Sequence, residues 1–240
     1  MKEKTFVKGE ITTANQTLEG CKESYTTTIE GSKKHIISAA RNYYPSDIDV
    51  SWLSAASQTY DISPNINDYL IVDVAAVTAD IPNRNFQGFL FSELSAFSYT
   101  YGQMIYQTFV GKPSCKDHAN TVDENTDLAK GVIFSAVLQY IPQFDTYKIR
   151  LLQGFDRTKD SVLAHQIHTG QRSHYSMGSL VSDFVCSISG EIEGAPNSVK
   201  APNGSVINGH LKWSMCFGCV FIENSSVDVP ADPTASGVVF

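Results

Sequence analysis

From residue 68 onward the chain alternates short runs of branched and aromatic residues with polar breaks rich in Gly, Pro and Asn. "DYLIVDVAAVTAD" (68–80) predicts a strand, because Val and Ile pack well on a pleated surface, and "IPNRNFQG" behind it carries turn residues. "KGVIFSAVLQYI" (130–141) and "TYKIRLLQGF" (146–155) predict two successive strands, and their separator, "PQFD", has the length of a hairpin loop. Two more long strands are predicted over "YSMGSLVSDFVCSIS" (175–189) and "HLKWSMCFGCVFIE" (210–223), with a polar Gly/Pro/Asn stretch between them. Helical spacing is sparser. It is found in "HIISAARNYY" (35–44), in "SDIDVSWLSAASQTY" (46–60) with Ser46 or Asp47 as cap, and within "FSELSAFSYTYGQMIYQTF" (91–109). In "RTKDSVLAHQIHTG" (157–170) Asp160 is the candidate N-cap and Gly170 the candidate C-cap. "GKPSCKDHANTVDENTD" (111–127) reads as a long polar loop and "NSSVDVPADPTASGVVF" (224–240) as a tail. Many short strands with few helices predict a β-barrel or an α+β, mainly β, single domain.

Composition narrows the function classes. The 240 residues, 42% of them hydrophobic, give one large domain or two small ones, either able to bury a substantial core. A net charge of −7 with scattered Lys and Arg argues against a nucleic-acid surface, which needs clustered cations. No apolar run reaches the length of a membrane span, and "MKEKTFVKGE" lacks the apolar region of a signal peptide. The expectation is a cytoplasmic protein with no membrane partner. Five cysteines, an odd number, do not form a secreted disulfide framework. No phosphate-cradling glycine loop is present.

Candidate chemistry gathers around "SHYSMGSL" (173–180). Serine hydrolysis needs a nucleophile, a base within reach, a group that orients the base, and backbone donors for the oxyanion. Ser176 stands two residues before Gly178, whose lack of a Cβ lets backbone approach a substrate closely. The same serine equally fits a plain strand edge. Six histidines compete for the base. His118 lies in "CKDHAN", a loop ahead of a strand, from which a side chain can be aimed at a cleft. His174 shares a strand face with Ser176 and suits a substrate contact, whereas His165 and His168 suit an exposed helix face. His35 and His210 have no helpful neighbours. Cys186, Cys216 and Cys219 with His210 make a three-sulfur, one-nitrogen set of the kind that holds structural zinc. Cys216 and Cys219 also lie in an apolar run, where free thiols pack as small hydrophobes.

Several of these segments together resemble the tailed-phage prohead maturation proteases, relatives of the herpesvirus assemblins. "YSMGSLVSDFVCSISG" is similar to their nucleophile strand, in which Ser, an apolar residue and Gly follow one another. "FIENSSVDVPADPTA" resembles their second signature, Glu-x-Ser-x-Val-x-x-Pro-Ala, through Glu223, Ser225, Val227, Pro230 and Ala231. "FVGKPSCKDHANTVDENTDLAKGVIFSAVL" resembles their histidine segment, and "ADIPNRNFQGFLFSEL" the Asn-rich turn and Glu-Leu helix before it. The likeness runs from about Asp68 to Ala235.

The resemblance implies an assemblin-like β-barrel with helices packed around it. It divides the chain into an N-terminal segment (1–67), a protease domain (68–235) with an insertion at about 187–212, and a short tail (236–240). It implies a serine endopeptidase with Ser176 as nucleophile, His118 as base and Glu223 as orienting acid. Met177 and Gly178 would then supply backbone around the oxyanion, with His174 close by and Asp117 as a weaker alternative orienter. At the end of an extended strand, Glu223 is expected to share a face with Cys219 and Phe221. The herpesvirus relatives use a second histidine as third member, for which His210 is the competing candidate. Some phage relatives carry Cys-x-x-Cys-Gly after the nucleophile strand; here Ser189 stands where the second cysteine would sit. The implied substrates are scaffold or core proteins and major capsid precursors, and the chain itself. The implied location is the prohead interior in the host cytoplasm, with homo-oligomerisation and no cofactor beyond that optional zinc. The rival readings are a non-catalytic prohead or virion protein on the same fold, and a zinc-stabilised binding module.

Overall fold

A computed structural model describes residues 50–118 and 128–239. Seven strands close a barrel in the order β1-β14-β8-β13-β5-β6-β7, and this mostly β architecture agrees with the expected fold class. Their ranges are β1 Tyr69–Thr78, β5 Pro113–Lys116, β6 Gly131–Ile141, β7 Thr146–Asp156, β8 His174–Leu180, β13 Val220–Val227 and β14 Ser236–Val239. The two long strands joined through "PQFD" are β6 and β7, which pair antiparallel over their whole length. A smaller sheet flanks the barrel in the order β2-β12-β9, from β2 Gln87–Phe89, β9 Asp183–Cys186 and β12 Ser214–Phe217. Hairpins β3–β4 (Phe97–Ser98, Gln103–Met104) and β10–β11 (Val206–Ile207, His210–Leu211) complete the strands.

Helices are short. Helix α1 (Leu53–Tyr60) starts behind Trp52, not at the expected Ser46 or Asp47, which lie outside the described residues together with 35–44. It packs through Leu53 onto Tyr69, Val132 and Phe134. The single helix expected within 91–109 is instead α2 (Phe91–Leu94), the β3–β4 hairpin and a 3-10 turn over Ile105–Phe109. Helix α3 (Ser161–His168) has the expected start, with Leu163 N–H donating to Asp160 Oδ1 at 2.9 Å. It ends at Thr169, followed by Gly170 at φ 77°. Among the described residues no helix is long and apolar enough to cross a membrane.

Both long strands predicted in the C-terminal half are broken, and at the same place. β8 leaves the barrel at Leu180 and continues as β9 in the small sheet; β12 leaves the small sheet at Phe217 and continues as β13 in the barrel. Leu180 still faces Val220 in the barrel, whereas Asp183 already faces Phe217 in the small sheet. Gly218 makes the return at φ 61°, and a Cβ there would meet Ser182 Oγ at 2.4 Å, so hydrophobic continuity hides a turn only glycine fits.

Two further corrections concern strands read as loop and tail. The "polar loop" begins with β5, which runs parallel to β13 and carries the buried Cys115. The "tail" supplies β14, which closes the barrel between β1 and β8. The core joins both sheets: Phe221 of β13 stacks on Phe109 at 4.0 Å between ring centroids and lies 5.6 Å from Phe89 of β2. Inside the barrel Gln153 Nε2 donates to the backbone Asn224 O at 2.7 Å and Asn224 Nδ2 to Gln153 Oε1 at 2.6 Å, while Asn224 Oδ1 has no partner among the described residues. The two bonds tie β13 to β7.

Candidate active site

Three neighbouring strands bring the candidate residues together. β13 lies between β8, which carries Ser176, and β5, which leads directly into His118. Ser225 of β13 faces Ser176 across one ladder and Cys115 across the other. Between Phe221 and Glu223 the ladder shifts, so two residues of β13 oppose one of β8. This β-bulge puts Phe221 opposite Ser179 and Glu223 opposite Gly178. Facing residues point to the same side, so Glu223 and Ser225 share the side of Ser176, while Phe221 takes the side of Tyr175 in the core. The expected common face for Glu223 and Phe221 is therefore absent, because the bulge breaks the alternation.

Glu223 is 1% exposed and fully engaged. His118 Nδ1 lies 2.9 Å from its Oε1, and the Ser225 hydroxyl donates to its Oε2. The same Ser225 oxygen accepts the His118 backbone N–H at 3.2 Å. Ser225 thus ties both ends of the pair. With Nδ1 donating to Glu223 Oε1, Nε2 is left as acceptor. The hydrogen bond to Glu223 holds the His118 pKa above the ordinary histidine value; partial burial opposes this, and the charges of Glu223 and Asp117 reinforce it.

Gly178 has a more specific duty than closeness to substrate. A Cβ at this position would stand 2.6 Å from Glu223 Oε1 and 3.0 Å from its Cγ. The carboxylate lies across the glycine, which is the only residue that admits it.

His118 follows a constrained backbone: Asp117 and His118 have φ of 54° and 55°, in the left-handed region that residues with a Cβ rarely adopt. Arg172 holds them there. Its guanidinium donates to Asp117 Oδ1, to Ser226 Oγ at 3.1 Å and to Ser226 O at 2.9 Å, and pairs with Asp228 at 3.2 Å. Asp117, the alternative orienter, is thereby engaged by Arg172. Ser225 and Arg172 went unassigned in the sequence. The i, i+2 spacing of Glu223 and Ser225 in a strand was the available signal for the first, and no local signal existed for the second.

Ser176, 6% exposed, and the half-exposed His118 both line a cleft of about 410 Å³ between the barrel and the small sheet. Met177, Gly178, Phe89 and Asp232 also line it. His174 is exposed at the start of β8 and is not part of the cleft wall. His210 is exposed on the β10–β11 hairpin and borders a different hollow with Trp213, while Nδ1 of His118 is taken by Glu223.

The zinc set does not assemble: among the described residues no three His, Cys, Asp or Glu side chains gather as a metal site. Cys216 and Cys219 pack in the main core, where burial pushes the Cys216 thiol up to about 11 and raises that of Cys219 as well. Burial also opposes ionisation of Cys186, but hydrogen bonds from the Ser189 hydroxyl and the Ser189 and Ile188 N–H groups outweigh it and lower its pKa. The insertion is instead organised by buried Lys212, which donates to Asn203 Oδ1 at 2.7 Å and pairs with Glu193 at 3.5 Å. No protein family, curated protein or solved structure matches the chain.

Proposed function

We propose that the protein is a serine endopeptidase in which Ser176 is the nucleophile, His118 the general base and Glu223 the acid that orients it. The observation that carries this reading is the His118–Glu223 pair at 2.9 Å opening onto the cleft that Ser176 lines. Ser176 Oγ attacks the scissile carbonyl carbon while its proton passes to His118 Nε2. His118 then gives that proton to the leaving amine, the C–N bond breaks, and an acyl-enzyme remains. Water, deprotonated by the same nitrogen, attacks the ester; the acyl C–O bond breaks, the nitrogen returns the proton to Ser176 Oγ, and the acid product leaves. Glu223 stabilises the imidazolium formed in each half and keeps its proton on Nδ1.

By its resemblance to prohead maturation proteases, the chain cuts scaffold or core and capsid precursor proteins inside a phage prohead, and also itself, working as a homo-oligomer. The barrel architecture supports this reading at the level of fold, and the site at the level of residues. Labelling by an alkyl fluorophosphonate tests the serine reading: the wild type is expected to react and Ser176→Ala not to react. Co-expression with the scaffold gene of the same phage tests the substrate, with cleavage expected only for the wild type. Cleavage by Ser176→Ala at the wild-type rate would end the proposal.

A further inference from the structure

We infer that the hollow beside Trp213 is a second docking site for the substrate: it takes an apolar side chain from the same polypeptide whose scissile bond lies in the cleft. The identity of this occupant rests on the serine endopeptidase reading above.

The insertion holds the hollow in shape from two sides. Its β10–β11 hairpin turns on Asn208 and Gly209 at φ 51° and 82°, the tight Asn-Gly turn that matches the twist of paired strands. Lys212 N–H donates to Ser205 O and Gly204 N–H to Lys212 O, both at 2.8 Å. Ser187 stitches the opposite side. Its hydroxyl donates to Leu211 O at 3.3 Å and accepts Trp213 N–H at 2.9 Å, and its own N–H reaches Trp213 O at 3.0 Å. The Lys212 side chain turns inward to Asn203 and Glu193, which leaves its neighbours Leu211 and Trp213 facing the hollow. With Pro82, Ser187, Ile188 and His210 they border a space of about 520 Å³, and Leu211 remains 38% exposed.

Two features say what fills it. The first is chemistry. None of the six bordering residues is an acid, a lysine or an arginine, so nothing there offsets the cost of desolvating a charged group. The Trp213 indole N–H, on the ring edge away from Cζ3, donates to no described residue. Apolar walls with one free donor suit an apolar side chain that has a peptide carbonyl beside it. The second feature is continuity with the cleft. Ile81, 48% exposed, lines the cleft, and the next residue, Pro82, lines the hollow. Gly88 also lines the cleft, and a Cβ there would stand 2.8 Å from Trp213 Cζ3 and 3.1 Å from Ile81 O. Cleft and hollow therefore share a wall, and a chain that leaves the cleft over Ile81 enters the hollow. Only locally unfolded chain fits a protease cleft, and such chain has its apolar side chains bare. Docking one of them away from the reacting bond raises affinity through effective concentration and leaves the chemistry at Ser176 unchanged.

The test uses the full chain and two sets of probes. Two tryptophans give two indole N–H peaks in nitrogen–proton correlation spectra, told apart by Trp52→Phe. Acetyl-Gly-Gly-Leu-Gly-Gly-amide is expected to move the Trp213 peak and spare that of Trp52. Versions with Glu or Lys in place of the leucine are expected to bind at least about 10-fold more weakly. The second set carries a fluorophosphonate at one end of a Gly-Ser tether of graded length, and leucine amide or glycine amide at the other. At the best length the leucine probe is expected to inactivate wild type at least about threefold faster than the glycine probe, the gain from a weak site met at millimolar effective concentration. Leu211→Asp is expected to abolish both effects and to keep the wild-type rate with a plain alkyl fluorophosphonate. No leucine advantage at any length, or a Trp213 peak indifferent to the leucine peptide, would overturn the proposal with the serine reading intact. A Trp213 peak that moves with protein concentration alone would mark the hollow as a contact between copies of the chain and overturn it as well. If the alkyl fluorophosphonate labels nothing, the serine reading fails and takes the substrate role of the hollow with it.

Discussion

Replacing Glu223 by Gln probes the proposed site with the least change of volume. Both carboxylate oxygens are in use, one toward His118 Nδ1 and one toward the Ser225 hydroxyl, which also accepts the His118 N–H. A glutamine has one oxygen and one NH₂, so it can serve only one side as before. If its NH₂ faces His118, the imidazole must keep its proton on Nε2, and the nitrogen needed to accept from Ser176 is lost. If its oxygen faces His118, the tautomer survives, but the imidazolium loses a neighbouring negative charge. Orienting acids in other triads set the scale for such a change, a fall in kcat/KM of about 10²- to 10⁴-fold, equivalent to about 3–5 kcal/mol. The pH profile supplies a second reading. Because the Glu223 hydrogen bond is the main cause of the raised His118 pKa, the wild-type activity limb should lie above the ordinary histidine value, near 6.5. In the variant it should move toward lower pH. The stability sign is consistent: a pKa raised by folding stabilises below the unfolded value, and this contribution fades as pH rises through the folded one. The assay is the fluorophosphonate inactivation rate across pH, with near-ultraviolet circular dichroism as the fold control. A folded Glu223→Gln protein within threefold of wild type, with its limb unmoved, would refute the orienting role.

Further outcomes rest on the same geometry. Ser176→Ala should abolish cleavage with little change in melting temperature, and His118→Ala should be nearly as damaging because nucleophile and base act as a unit. Gly178→Ala should displace the carboxylate, costing about 1–3 kcal/mol in chemical denaturation, as overpacking does, and lowering the His118 pKa seen by NMR. Arg172→Met should leave Asp117 unpaired, destabilise by about 1–3 kcal/mol and depress kcat more than KM. His174→Ala and His210→Ala should retain most of the fluorophosphonate inactivation rate, since neither side chain lines the cleft.

How much of this could be read from the sequence depended on the range of the interactions. β1, the β6–β7 hairpin and α3 are legible because alternation, a short polar break and an Asp cap are all local. β5 is not: it has four residues opening with Pro113, and it exists through a parallel pairing with β13 more than a hundred positions away. β14 is hidden for the same reason, as "SGVV" gains its partners only when the barrel closes. Ser176 and His118 have local cues, a glycine two positions on and a loop ahead of a strand, but only the resemblance joins them with Glu223 as a set. Ser225 meets Glu223 locally, two positions away, but its tie to the His118 N–H and the bonds of Arg172 to Asp117 and Ser226 span long stretches of chain.

The bulge at Ile222 has a consequence for how such a chain can change over generations. Downstream of it, even and odd positions trade sides: Phe221 belongs to the core side, yet Glu223 and Ser225 belong to the outer one. Deleting Ile222 would leave every letter of the motif in place and keep that division, because Phe221 and Glu223 would become neighbours in a plain alternating ladder with the same partners, Ser179 and Gly178. Ile222 itself is only partly buried, so many substitutions there should pass unnoticed. At this one point of the strand the chain can therefore lose a residue as well as exchange one, whereas a deletion anywhere else between Glu223 and Val227 would carry the acid or its partner Ser225 to the wrong side.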